Sequence, residues 1–138
     1  MTAETLALRN WMIASTILYL WGGFSFVVWQ NRQLEWMNRF SIRLFKDRLP
    51  PIPLSTEKFW LVLTTSMMLM LVVCCGLCAY DPEKYLVLVL PVLFSKACST
   101  LSYTLLFSFQ KRFFAYLVGA FTDGPLFVVT LILYLRAV

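Results

Sequence analysis

The chain contains no histidine among its 138 residues. Haem ligation through the usual axial histidine is therefore excluded. Charge is also scarce, because Asp, Glu, Lys and Arg make up 14% of the residues, whereas an average soluble domain carries about 25%. The sequence also lacks a nucleophile elbow, a phosphate-binding glycine loop, a zinc-protease helix and a dinucleotide fingerprint. These absences argue against an enzyme, and we assign no catalytic residue, cofactor or metal from the sequence.

Long apolar runs take the place of charge in this sequence. Hydrophobic residues make up 60% of the chain, which is more than a soluble fold of this size can bury. Four runs approach or exceed the roughly 20 residues that a helix needs to cross about 30 Å of hydrocarbon. Because the backbone must satisfy its own hydrogen bonds in lipid, such runs predict helices. The predicted membrane spans are residues 11–29, 59–80, 85–109 and 113–135.

These runs predict an all-α integral membrane protein, with one domain over residues 1–138 and four transmembrane helices in an antiparallel bundle. The second and third connections, residues 81–84 and 110–112, are short, and short connections place consecutive helices side by side in opposite directions. The first span is too long for the apolar core of a secretory signal, and no small-residue cleavage site follows it. We therefore expect the first span to be retained as a helix.

The polar connection between the first two spans predicts a further helix at about residues 32–48. Basic residues recur there at steps of three and four, with apolar residues on the other side of the helix. The basic face comprises Arg32, Arg39, Arg43 and Lys46. This pattern is typical of an amphipathic helix that lies in the membrane surface and contacts anionic headgroups. A docking surface for a larger cytoplasmic partner is the alternative interpretation.

Lysine and arginine are unevenly distributed between the two sides of the predicted bundle. The first and third connections hold eight, namely Arg32, Arg39, Arg43, Lys46, Arg48, Lys58, Lys111 and Arg112, whereas the opposite side holds three. Because positive residues are retained in the cytoplasm, we expect both termini on the non-cytoplasmic side. The basic residues form no nucleic-acid-binding motif, so the expected partners are anionic lipid headgroups and other membrane subunits.

Lys96 and Asp123 are the only acid and base deep inside the predicted spans. A charge at the bilayer centre costs about 3 kcal/mol on insertion scales, so each residue needs a partner or a task. The two residues lie in consecutive spans, and their depths differ by roughly 5 Å at 1.5 Å per residue, which a lysine side chain can cover. We therefore predict an intramembrane ion pair, supported by the polar side chains of Ser99, Thr100 and Tyr103.

This ion pair has three possible roles, which are a structural lock between two helices, a site for protons or ions, and a polar anchor to another subunit. A proton path needs further titratable groups in line, and the spans contain no second buried carboxylate. Gly124 and Pro125 follow the aspartate directly and can break the fourth helix, as in transporters. The spacing of Ala115, Gly119 and Asp123 creates a strip of small residues on which another helix can pack closely.

Three cysteines form a C-C-x-x-C run inside the second span, namely Cys74, Cys75 and Cys78. In a soluble cytosolic protein this spacing would indicate a redox or zinc site. A four-ligand metal site would require Cys98 or another chain, and cysteine also packs well between helices as a small hydrophobe. Packing is therefore the favoured interpretation, and a redox role for these thiols is the alternative.

The function expected from the sequence is that of a non-catalytic accessory, anchoring or assembly subunit of a larger membrane complex. The lack of a catalytic set, the compact bundle and the basic surface helix support this expectation. An alternative is a small oligomeric channel or transporter that uses Lys96 and Asp123. A thiol or quinone redox helper that uses the cysteines of the second span is less favoured.

Overall fold

The computed structural model describes residues 2–46, 48–56 and 59–138, and within these ranges it is helical with no strand. The helices are α1 (Ala3–Phe45), α2 (Phe59–Tyr80), α3 (Val89–Phe109) and α4 (Phe114–Ala137), and a short 3-10 helix at Leu86–Leu88 leads into α3. By length and composition, four helical segments can cross a membrane. The prediction of an all-α protein with four candidate membrane spans is therefore confirmed.

The first predicted span and the predicted surface helix form one 43-residue element, α1. The helix begins at Ala3, well before the predicted start at residue 11. Thr2 caps it by accepting a hydrogen bond from the Thr5 backbone N–H at 3.2 Å. The backbone leaves helical geometry at Trp29, with φ −125° and ψ 24°, and the helix kinks there. Hydropathy predicts which residues lie in lipid, so it does not detect a helix that continues into polar sequence.

Two polar side chains bridge the kink in α1. Gln33 Nε2 donates a hydrogen bond to Ser25 Oγ at 2.9 Å, and that hydroxyl donates to the carbonyl of Gly22 at 3.0 Å. Side chains that bond into the helical ladder are a known cause of sharp kinks. Residues 30–45, called the post-kink segment here, therefore follow a different axis from the first part of α1.

The post-kink segment ends at Phe45 rather than near residue 48. Lys46 adopts a left-handed backbone conformation, with φ 46° and ψ 57°, and its N–H bonds to the carbonyl of Ile42. A left-handed residue at this position ends an α-helix. Asp47, which falls inside the predicted helix, and Lys58, which belongs to the predicted basic side, lie outside the described residues.

The connection that follows runs back along α1, and residues 50–55 are called the proline strap here. Asn38 bonds both backbone groups of Ile52, with Nδ2 donating to the carbonyl and the Ile52 N–H donating to Oδ1, each at 2.9 Å. Asn31 forms the same pair of bonds with Ser55 at 3.1 Å. Prolines in the strap lack N–H donors and disfavour helix, so the two asparagines hold an extended segment against the helix.

The most tightly buried part of the core lies where the beginning of α1, the end of α2 and the beginning of α3 meet. Its fully buried apolar side chains are Leu8, Met12, Cys75, Cys78, Val89 and Val92. This end of the molecule is far along α1 from the proline strap. Large apolar side chains such as Phe94 and Phe121 are exposed, as expected for helix faces that contact lipid.

The helix α1 packs most extensively against α2 and also contacts α4. Near one end Arg9 Nε donates to the carbonyl of Ala79 at 3.0 Å, and further along Gly23 lies against Met68. Residue numbers therefore rise along α1 as they fall along α2. α3 packs mainly against α4, whereas α2 and α3 contact each other far less, because their short connection constrains only the ends that it joins.

The helix α4 continues through Pro125 to Ala137. The break that Gly124 and Pro125 could introduce is therefore not present. Proline removes the N–H that would bond to the carbonyl of Phe121. Membrane helices tolerate this loss because neighbouring helices and small local adjustments compensate for the freed carbonyl.

A close approach of α3 and α4 at Gly119 yields a testable prediction. A Cβ atom at residue 119 would lie 2.5 Å from Cε2 of Tyr103. We expect Gly119→Ala to lower the free energy of unfolding in detergent micelles by about 1–3 kcal/mol, the usual cost of overpacking. Gly22→Ala is the matched control, because nothing lies within 4 Å of its added Cβ. Equal losses from both substitutions would contradict the close approach.

Candidate functional site

The structure brings Lys96 of α3 and Asp123 of α4 into contact. Lys96 Nζ lies 2.9 Å from Asp123 Oδ1, and the two side chains are 7% and 15% exposed. Removing one partner would leave an isolated charge in an apolar setting, which costs several kcal/mol. Loss of either partner alone is therefore costly to the fold.

The three residues expected to support the pair, Ser99, Thr100 and Tyr103, make different contacts. Ser99 Oγ donates to Asp123 Oδ2 at 2.5 Å, so each oxygen of the carboxylate accepts a hydrogen bond from α3. Thr100 Oγ1 instead donates to the backbone carbonyl of Lys96 at 2.7 Å. Tyr103 lines a cavity beside the pair. Only Ser99 of the three bonds directly to a charged side chain in the part of the chain that the structure describes.

Tyr19 of α1 belongs to the same site, although it was not among the predicted site residues. Lys96 Nζ lies 4.6 Å from the centroid of its ring, which is within the range of a cation–π interaction. The tyrosine is 3% exposed, and its hydroxyl has no hydrogen-bond partner among the described residues. Tyr19 is one of several aromatic residues in an apolar run, and its contact with a residue in α3 leaves no local sequence signal.

A cavity of about 380 Å³, called the inner cavity here, adjoins the ion pair. Its walls come from all four helices and from Ile52 of the proline strap. The lining of this cavity is mostly apolar or aromatic, and its polar groups include those of Gln33, Thr122, Lys96 and Asp123. A mostly apolar cavity with a few convergent polar groups is the usual composition of a small-molecule site.

The three cysteines of α2, Cys74, Cys75 and Cys78, are buried free thiols, and Cys98 is free and exposed. The buried three belong to the core that α1 and α3 complete. Across residues 2–46, 48–56 and 59–138, no group of three or more His, Cys, Asp or Glu side chains is arranged to hold a metal ion. Burial among apolar side chains supports a packing role for these thiols.

The predicted basic face is exposed, namely Arg32, Arg39 and Arg43 of the post-kink segment and Lys46 directly after it. Arg39 Nη2 lies 3.4 Å from Oε2 of Glu35, which is one helical turn earlier. An exposed pair of this kind contributes about 0.3–0.5 kcal/mol, so the segment gains little stability from its charges. Its charges are therefore available to groups outside the chain.

Aromatic contacts join the post-kink segment to the beginning of α4. The rings of Phe40 and Phe45 lie 5.9 and 5.7 Å from the ring of Phe114, measured between centroids. Lys111 and Arg112 directly precede that part of α4 and are exposed. The two basic connections therefore lie at the same end of the molecule.

The ion pair gives a double-mutant prediction. We expect Lys96→Met and Asp123→Leu each to lower the free energy of unfolding by about 3–5 kcal/mol, because each leaves a buried unpaired charge. The double variant should lose less than either single variant, as measured by unfolding in detergent micelles. Lys84→Met, which removes an exposed lysine, should change stability little. A double variant no more stable than the worse single variant would disprove the coupling.

Comparison of the chain with protein families, with curated proteins and with solved structures finds no match.

Proposed function

We propose that this protein is a non-catalytic accessory, anchoring or assembly subunit of a larger membrane complex. In this proposal the four helices form an antiparallel bundle in the bilayer. The post-kink segment and the proline strap form a docking platform at the membrane surface. The observation that carries the proposal is the double asparagine clamp, in which Asn31 and Asn38 make four hydrogen bonds to the strap backbone. Such a platform keeps its shape without its partner, which lowers the entropic cost of docking.

The charge distribution supports a role for the platform in recognition. The first and third connections carry eight basic and three acidic residues, whereas the opposite side carries three of each. The net charge of +5 therefore arises at the platform end. We propose that this end is cytoplasmic and that both termini are not, since lysine and arginine are retained inside. The basic face of the post-kink segment would contact anionic headgroups, as an amphipathic surface helix does.

The ion-pair site supports a structural role for the bundle. Lys96 contacts Asp123 on α4 and Tyr19 on α1, while Ser99 bonds the second carboxylate oxygen. Three helices are therefore held by one cluster of side chains. A bundle that is fixed in this way provides a stable base for a platform that must meet a partner in one orientation.

Co-purification tests the proposed role. We expect the tagged chain, extracted from its native membrane in mild detergent, to retain a partner protein in fixed stoichiometry. Asn38→Ala removes two bonds to the strap, each worth about 0.5–1.5 kcal/mol, and should reduce partner recovery several-fold. Asn10→Ala, an exposed asparagine near the other end of α1, is the matched control and should retain the partner. A chain that always purifies alone would refute the proposal.

Ion transport is a second candidate function, because the ion pair lines the inner cavity. This role predicts proton flux into liposomes that contain the purified protein, measured with an internal pH-sensitive dye. Asp123→Asn keeps the shape of the side chain but removes its charge, so it should abolish that flux. Equal flux through the parent chain, Asp123→Asn and Lys96→Met would remove the pair from any transport mechanism.

A further inference from the structure

A second cavity, of about 500 Å³, lies at the kink in α1 and is called the kink groove here. Its walls are Trp29, Arg32, Gln33, Trp36 and Met37 of α1 and Val118 of α4. Three of these residues, Gln33, Met37 and Val118, also line the inner cavity. The two cavities therefore adjoin at these shared side chains, where α1 faces α4.

The position of the kink groove along the chain places it at the edge of the hydrocarbon. Trp29 is the last residue of the first apolar run, the polar stretch begins at the next residue, and Arg32 follows three residues after Trp29. Tryptophan is enriched at this level of a bilayer because its ring is apolar and its N–H is polar. Trp29 and Trp36 are 39% and 63% exposed, so both rings can contact a molecule in the groove.

The wall of the kink groove combines one exposed cation with aromatic and apolar surface. Guanidinium groups bind phosphate with two parallel hydrogen bonds, and the excess of basic residues in the neighbouring connections favours an anion over a cation. Met37 and Val118 add apolar surface on the side that faces the inner cavity. This combination matches an amphiphile with an anionic head and a hydrocarbon chain.

We propose that the kink groove binds a single anionic phospholipid. Its phosphate pairs with Arg32, its glycerol region lies beside Trp29 and Trp36, and its first acyl carbons lie against Met37 and Val118. A lipid in this position covers the side chains that separate the groove from the inner cavity, so it closes that cavity on the membrane side. The proposal does not depend on the accessory function and goes beyond it.

Native mass spectrometry tests the site on the purified full-length chain, with phosphatidylglycerol and phosphatidylcholine of matched acyl chains as probes. We expect one phosphatidylglycerol to be retained in preference to phosphatidylcholine. Arg32→Gln should reduce that retained fraction about tenfold, the effect of losing a charge-assisted hydrogen bond. Arg39→Gln is the matched control, because it removes an exposed arginine two turns away on the same helix that does not line the groove, and it should retain the lipid.

Two further measurements separate the site from weaker explanations. Val118→Trp fills the groove without changing charge, so it should also displace the lipid, while circular dichroism verifies that the variant is still folded. Soluble glycerol phosphate should not displace the lipid, because it lacks the acyl chain. Equal loss in Arg32→Gln and Arg39→Gln would show diffuse surface attraction and overturn the proposal. Equal retention of both lipids, or displacement by glycerol phosphate, would also overturn it.

Discussion

A charge deep within an apolar helix must be paired, and the Lys96–Asp123 contact meets this requirement across α3 and α4. The contact also recruits α1, because the Tyr19 ring lies against the Lys96 ammonium group. Ser99 bonds the second carboxylate oxygen, so the aspartate is held from two positions on α3. One electrostatic requirement therefore holds three helices together, and the inner cavity lies beside the point where they meet.

The spans and the position of the charged residues follow from local sequence. Hydropathy predicted residues 59–80, and the observed α2 has those bounds. The two later helices begin and end close to the predicted limits. Depth along two consecutive spans was enough to predict that Lys96 and Asp123 could meet, because a lysine side chain can cover the small difference in depth.

Features that depend on contacts across the chain could not be predicted in the same way. Asn31 and Asn38 appear in the sequence as ordinary polar residues of a helix, and only the return of the strap gives them partners. Tyr19 likewise has no feature in its neighbouring sequence that indicates its contact with Lys96. The continuous α4 shows a different limit, because the effect of Pro125 on a helix depends on how its neighbours compensate for the lost hydrogen bond.

The asparagine clamp also bears on the order in which the chain folds. Asn38 bonds the backbone of Ile52, 14 residues later, and Asn31 bonds the backbone of Ser55, 24 residues later. The hydrogen bonds of the clamp therefore involve no residue after Ser55. Contacts of short sequence separation form with a small loss of chain entropy. The clamped segment can therefore form early in synthesis. Lys96, in contrast, has no carboxylate partner until Asp123 of α4 is made.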